Sequence, residues 1–223
     1  MWRTVRVFLN WYEFEIEDPD WHNPARKVKV KPPHDEPLEP ADIDAINAMI
    51  DACERGRDYT GLRDKLILMF LLDTGVRAAE LRALTNDTVN PITGVVQVVH
   101  GKGGKSRTVY IGQRTRRVLR KFLKEYQVNG FIFLNDEGTV LTKSGLETML
   151  ERRAKQAGVK VQRAHAIRRL FALTMLRAGV DIYNLQMLMG HADIQVLRRY
   201  LKLTESDTWA AHLKGSPVDH LIK

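Results

Sequence analysis

The stretch TGLRDKLILMFLLDTG, residues 60–75, limits the fold more than any other part of the chain. Wound as a helix, it carries Leu62, Leu66, Ile67, Leu68, Met69, Phe70, Leu71 and Leu72 on nearly every side, and Gly75 closes it. A helix that is apolar all round has no face for water, so it belongs at the buried centre of a helical body. No apolar run in the chain approaches the ~18 residues that a membrane span needs. With 223 residues, 44% of them hydrophobic, there is material for one good-sized core, or one core plus a small appendage.

The elements around this centre follow from periodicity. Ile43, Ile46, Met49 and Ile50 recur at helical spacing after Pro40 and Asp42, either of which can open a helix. RAAELRAL is a short helix. VVQVVHGKGGKSRTVYI places β-branched runs on both sides of a glycine-lysine turn, which predicts a hairpin. A basic helix is expected over 113–127, a third short strand at FIFL (131–134), and helices near 143–157, 165–178, 181–189, 193–200 and 205–213. The fold class is therefore mostly α with a small antiparallel β-sheet (α+β), without internal repeats. At the front, Val5, Phe8, Leu9, Tyr12 and Ile16 predict a helix over 1–17. It runs into DPDWHNPARKVKVKPPHDEPLEP, too rich in proline and charge to be a core element, which makes it a linker or a wrapping segment. The opening residues do not read as a signal peptide, because acidic residues follow the apolar part and no small-residue cleavage site is present.

Charge narrows the partners. Lys and Arg number 35 against 27 Asp and Glu, a net charge of +8. That surplus points to a polyanion, nucleic acid first and an anionic membrane second, with a merely soluble basic protein as the plain alternative. The one cysteine, Cys53, excludes a disulfide framework and a cysteine zinc site, lies on the apolar side of its helix, and fits a reducing cytoplasm.

Several polar residues interrupt the apolar patterns. Arg77 follows Gly75, with Glu80 at i+3 on the same face; taken alone this is an ordinary ion pair. GKGGKSR puts Lys102, Lys105 and Arg107 at a hairpin tip, which is either a solvated turn or a basic finger laid against a phosphate. In HAIRR, His165 and Arg168 share a face near a helix start, where free N–H groups and the dipole favour anions; a structural histidine is the alternative. His191 follows Gly190, and no Asp, Glu or Cys accompanies the two histidines at metal-ligand spacing. Tyr200, after Arg198 and Arg199, is open to two readings, a core residue or a reactive phenol.

In chain order, TGVRAAEL, GKGGKSR, HAIRR and MGHADIQVLRRY resemble the tyrosine site-specific recombinases, the phage integrase family, over about residues 40–215. The resemblance implies the catalytic core fold of DNA breaking-rejoining enzymes and a catalytic set of Arg77, Lys102, His165, Arg168, His191 and Tyr200, with Glu80 supporting Arg77 or His165. It implies metal-free and cofactor-free cleavage of double-stranded DNA through a 3′-phosphotyrosyl link on Tyr200. Residues 1–36 would be the last helix of an N-terminal DNA-clamping domain plus a linker, and 37–223 a catalytic domain ending in a docking tail. A monomer in solution and a tetramer on paired DNA sites are expected, in the cytoplasm of a prokaryote or phage host. Lys105, Arg107, Arg114, Arg117, Arg169 and Arg199 are candidate DNA contacts. Where many members have a second histidine this chain has Arg169, and where many have a Thr-Thr pair it has Val196 and Leu197. Two other functions share parts of this pattern: a type IB topoisomerase that relaxes single duplexes, and a DNA-binding fragment with impaired catalysis.

Overall fold

The computed structural model describes residues 2–16, 18, 20–28, 39–54, 58–99 and 106–190. The chain divides into two compact units, Met1–Glu36 and Pro37–Lys223.

In the first unit, α1 (Trp2–Glu15) packs on a short 3-10 turn, Pro24–Arg26. Buried Asn23 caps that turn by accepting from the Ala25 amide, and it donates to Asn10 and Glu13 of α1. The Tyr12 and Trp21 rings meet edge to face at 5.2 Å. Val7, Phe8, Trp11 and Phe14 of α1 remain exposed.

The second unit is built around α3 (Tyr59–Thr74). Leu66, Ile67, Leu68, Phe70 and Leu71 are fully buried, as the all-round apolar pattern requires. The Asp58 carboxylate caps its start on the Gly61 amide at 2.8 Å. Helices α2 (Ile43–Glu54), α5 (Gln113–Tyr126) and α7 (Ala164–Arg177) pack on it. Helix α6 (Lys143–Ala157) lies on α2, and α8 (Ile182–Met189) lies on α7. Phe171, Ala172, Leu185 and Met189 form a small apolar cluster between α7 and α8.

Gly75 ends α3 in the left-handed region, at φ +59°, donating to the Leu71 carbonyl. A Cβ at this position would also lie 2.3 Å from Cδ1 of Phe171 on α7. Gly75→Ala therefore forces a strained backbone and a collision together. A loss of about 2–3 kcal/mol is expected, read as a lower urea midpoint at unchanged slope.

A short helix, α4 (Ala78–Arg82), follows, and then β1 (Val95–Val98) pairs antiparallel with β2 (Arg107–Tyr110). Val96, Val98 and Val109 face the core, and the register sets Val98 opposite Arg107. Among the described residues the sheet has two strands, so the third strand expected at FIFL is corrected. Ile132 and Phe133 are both fully buried, and two consecutive inward side chains break the alternation of a strand. The segment is instead a plug, with the Phe133 ring edge-on to Phe70 at 5.8 Å and the backbone tied by isolated bridges from Phe131 to Thr85 and from Leu134 to Val140. The helices expected near 193–200 and 205–213 lie outside the described residues.

One polar cluster crosses this core. Asp64 on α3 is fully buried. Its Oδ1 accepts from Nε and Nη2 of Arg63 at 3.0 and 2.9 Å, and its Oδ2 accepts from Arg152 and Arg153 of α6, each at 2.8 Å. Arg63 continues to the Leu134 carbonyl and to Asp136. No described helix is long and apolar enough to cross a membrane.

Candidate functional site

Arg77 occupies the residue before α4, two positions after the αL residue Gly75. Glu80, third in that helix, reaches back to accept from the Arg77 amide at 2.8 Å and so satisfies an orphan donor at the helix start. Its Oε1 also accepts from the Arg77 guanidinium at 2.8 Å. The pair read from the i+3 spacing is thus present, with Glu80 nearly buried and the Arg77 side chain 26% exposed.

A second arginine shares the same carboxylate. Arg107 of β2 is bidentate on Glu80, with Nη1 to Oε1 at 2.8 Å and Nη2 to Oε2 at 2.6 Å. Expected as a surface cation against DNA, Arg107 is only 9% exposed and points inward, which corrects that placement. The physical reason is the period of the strand: Arg107 stands two residues before Val109, on the core-facing side. Burial raises the Glu80 pKa, but hydrogen bonds from Arg107 and the Arg77 amide, with the arginine charges, outweigh it and bring it down to about 2.

A carboxylate held so far below its ordinary 4.5 contributes stability above about pH 4.5 that is lost as pH falls through about 2. Glu80→Gln removes that contribution, about 3 kcal/mol at neutral pH from the size of the shift. The stability gap between the two proteins is expected to be constant above about pH 4.5 and to close toward pH 2. Denaturant titrations at a series of pH values measure it, and a gap independent of pH would rule the linkage out.

Arg168 lies on α7, buried, and donates to the Gly75 carbonyl and, at 2.6 Å, to the Met189 carbonyl. Arg77 donates to the next carbonyl along, Gly190, at 3.1 Å. Arg107 Nε takes the preceding one, Leu188, at 2.7 Å. Carbonyls in the last turn of a helix have no intrahelical partner and carry the negative end of the dipole. Three arginines from three elements therefore gather at the end of α8, immediately before His191.

His165 is in the first turn of α7, exposed, with Arg168 one turn on. Desolvation lowers its pKa first, and the charges of Arg168, Arg169, Arg77 and Lys143 lower it further. The ring is held toward its neutral, proton-accepting form in a field that attracts anions. Glu80 bonds the two arginines and makes no bond to His165, so of the two expected partners only Arg77 has it. Arg169 is half-buried and donates to the Glu39 carbonyl at 2.7 Å. Arg114 and Arg117 stand exposed on α5. Lys102, Lys105, His191, Arg199 and Tyr200 lie outside the described residues.

The helical body with its two-stranded ribbon has the fold of solved recombinases. The XerH site-specific recombinase, solved bound to a palindromic difH substrate in a post-cleavage complex, aligns with a TM-score of 0.70 at 20% identity, over 90% of this chain and 61% of that one. The phage integrase family model matches residues 40–207, and the chain belongs to that family. The tyrosine recombinase XerD of Listeria monocytogenes is 36% identical over 154 residues, 65% of this chain and 52% of the relative. The tyrosine recombinase XerA of Saccharolobus solfataricus is 30% identical over 212 residues, 95% of this chain and 65% of the relative. The chain thus spans about half the length of the XerD relative.

Proposed function

We propose that the chain is the catalytic part of a site-specific DNA recombinase that cleaves and rejoins double-stranded DNA without a metal. The observation that carries this reading is the convergence of Arg77 and Arg168, far apart in sequence, on consecutive carbonyls beside His191. Phosphoryl transfer without a metal needs fixed cations on the non-bridging oxygens, and guanidinium groups match them bidentately. Family membership and the DNA-bound XerH neighbour support the substrate class.

In the proposed reaction the Tyr200 phenol attacks the scissile phosphorus. A bond from Oη to phosphorus forms as the bond from phosphorus to the 5′ oxygen breaks. His165 accepts the phenol proton, a role that suits an imidazole kept neutral. Lys102 donates a proton to the leaving 5′ oxygen, and His191 hydrogen-bonds the phosphate. The 3′-phosphotyrosyl link conserves the bond energy, and attack by a second strand's 5′-hydroxyl completes the exchange. Residues 37–223 form the catalytic domain with its docking tail, and 1–36 the end of a DNA-clamping domain with its linker. Four copies act around a pair of sites in the cytoplasm.

The test uses a pool of duplexes carrying one nick within a randomised region. The expected result is an adduct stable to denaturation whose digestion places the nucleotide on Tyr200. No adduct, or an adduct on another residue, overturns the reading.

A further inference from the structure

We propose that Arg107 is a positioning residue of this site: it neutralises Glu80, so that Arg77 keeps its charge for a DNA phosphate, and it seats the last turn of α8. The proposal rests on the recombinase reading above and adds a residue to it.

Three observations carry it. First, the guanidinium is engaged in three directions, two on the Glu80 carboxylate and one on the Leu188 carbonyl. An arginine only 9% exposed with so fixed a geometry belongs to a frame. Second, Gly190 lies directly on that guanidinium. A Cβ at 190 would fall 2.9 Å from Nη1 and 3.0 Å from Cδ and Cζ of Arg107, and φ there is +62°. The turn leading to His191 is thus moulded on Arg107. Third, the bonds close a ring. Arg77 and Arg107 both hold Glu80, and each also holds a carbonyl of the same turn, Gly190 and Leu188.

The charge count explains why a second arginine is needed. Glu80 with Arg77 alone would be neutral, and a carboxylate at hydrogen-bond distance would cancel much of the attraction of Arg77 for a phosphate. With Arg107 added, the trio carries one net positive charge. The more exposed of the two guanidinium groups, Arg77, presents it outward.

The experiment compares Arg107→Gln, Arg107→Lys and the double variant Glu80→Gln with Arg107→Gln, all in the full chain. Single-turnover cleavage of the nicked duplex pool at saturating DNA is measured beside DNA affinity and thermal unfolding. Arg107→Gln is expected to slow cleavage on the order of 10²-fold, the loss typical when stabilisation of a transition-state anion is removed. DNA affinity, spread over many cations, is expected to stay within about threefold. Arg107→Lys keeps the charge and is expected to lose less than about tenfold. The double variant restores one net positive charge and is expected to recover at least about tenfold over Arg107→Gln. Cleavage by Arg107→Gln at the wild-type rate, or a double variant slower than the single, overturns the proposal. A purely structural Arg107 predicts the second outcome, because its losses accumulate. The Arg77 Nε–H resonance gives a readout that does not need activity. It should shift in Arg107→Gln and return in the double variant, and a resonance that does not move overturns the proposal even if the wild-type protein forms no adduct and the recombinase reading fails.

Discussion

Replacing Arg168 by Ala is expected to lower the rate of covalent adduct formation by ~10²–10³ at saturating DNA, and to destabilise the fold as well. The two effects have separate causes. In the proposed reaction Arg168 faces the charge that builds on the scissile phosphate, and that interaction is strongest in the transition state. In the free protein its guanidinium ties the carbonyl of Gly75, past the end of α3, to that of Met189, at the end of α8. Alanine removes the donor from both carbonyls at a buried position, and each carbonyl left unsatisfied costs about 1–3 kcal/mol. Arg168→Lys separates the contributions. An ammonium keeps the charge but has no planar fork to bridge two carbonyls of fixed separation. The lysine protein is therefore expected to retain more adduct formation than the alanine protein while unfolding at a similarly reduced temperature. Rates per folded molecule, taken well below both transitions, decide the matter. A wild-type rate in Arg168→Ala would remove this residue from the chemistry.

The parts of the fold that were legible in sequence are those fixed by local rules. Residues 60–75 declare their burial because a helix apolar on all sides has no other stable place. Gly75 and Gly190 mark helix ends because both stand at positive φ, where other side chains are strained. Arg77 and Glu80 pair because i+3 places them on one face. FIFL misled because a short apolar run looks alike whether it alternates across a sheet or plugs a core, and only the neighbouring α3 selects the plug.

Arg77 and Arg168 of the candidate set do meet at the end of α8, but the geometry of that meeting was not legible in sequence. GKGGKSR reads as one uniformly basic tip, yet its last residue belongs to the strand. The inward-facing Val109, two positions on, carried the signal that would have turned Arg107 toward the core. No sequence rule announces that backbone carbonyls 188, 189 and 190 collect one arginine each. Those contacts join the residue before α4, β2 and α7 to the end of α8, and each depends on long-range packing.

Asp64 is the other long-range feature, and its removal is expected to have the largest effect on stability. Sequence offers half of the clue: Arg63, Asp64 and Lys65 interrupt a helix apolar on nearly every side, and charges that become buried in such a place must find partners. The partners, Arg152 and Arg153, come from α6. Asp64→Ala leaves Arg153 buried without its carboxylate and Arg63 with Asp136 alone. Breaking a buried pair from one side costs about 3–5 kcal/mol, a large part of the 5–15 kcal/mol that holds a typical domain. For a chain of this size that is a fall in Tm of roughly 6–20 °C. Asp64→Asn keeps the shape and two acceptor sites on one oxygen but not the charge, so it is expected to fall between the wild type and Asp64→Ala. Because the Asp64 carboxylate bonds Arg63, Arg152 and Arg153 and none of the candidate site residues, adduct formation at low temperature is expected to stay within about threefold of wild type. Thermal unfolding beside single-turnover rates tests both halves. A small change in Tm would mean that the three arginines find other compensation, and a large loss of rate in a folded protein would mean that α3 and α6 transmit strain to the arginines at the end of α8.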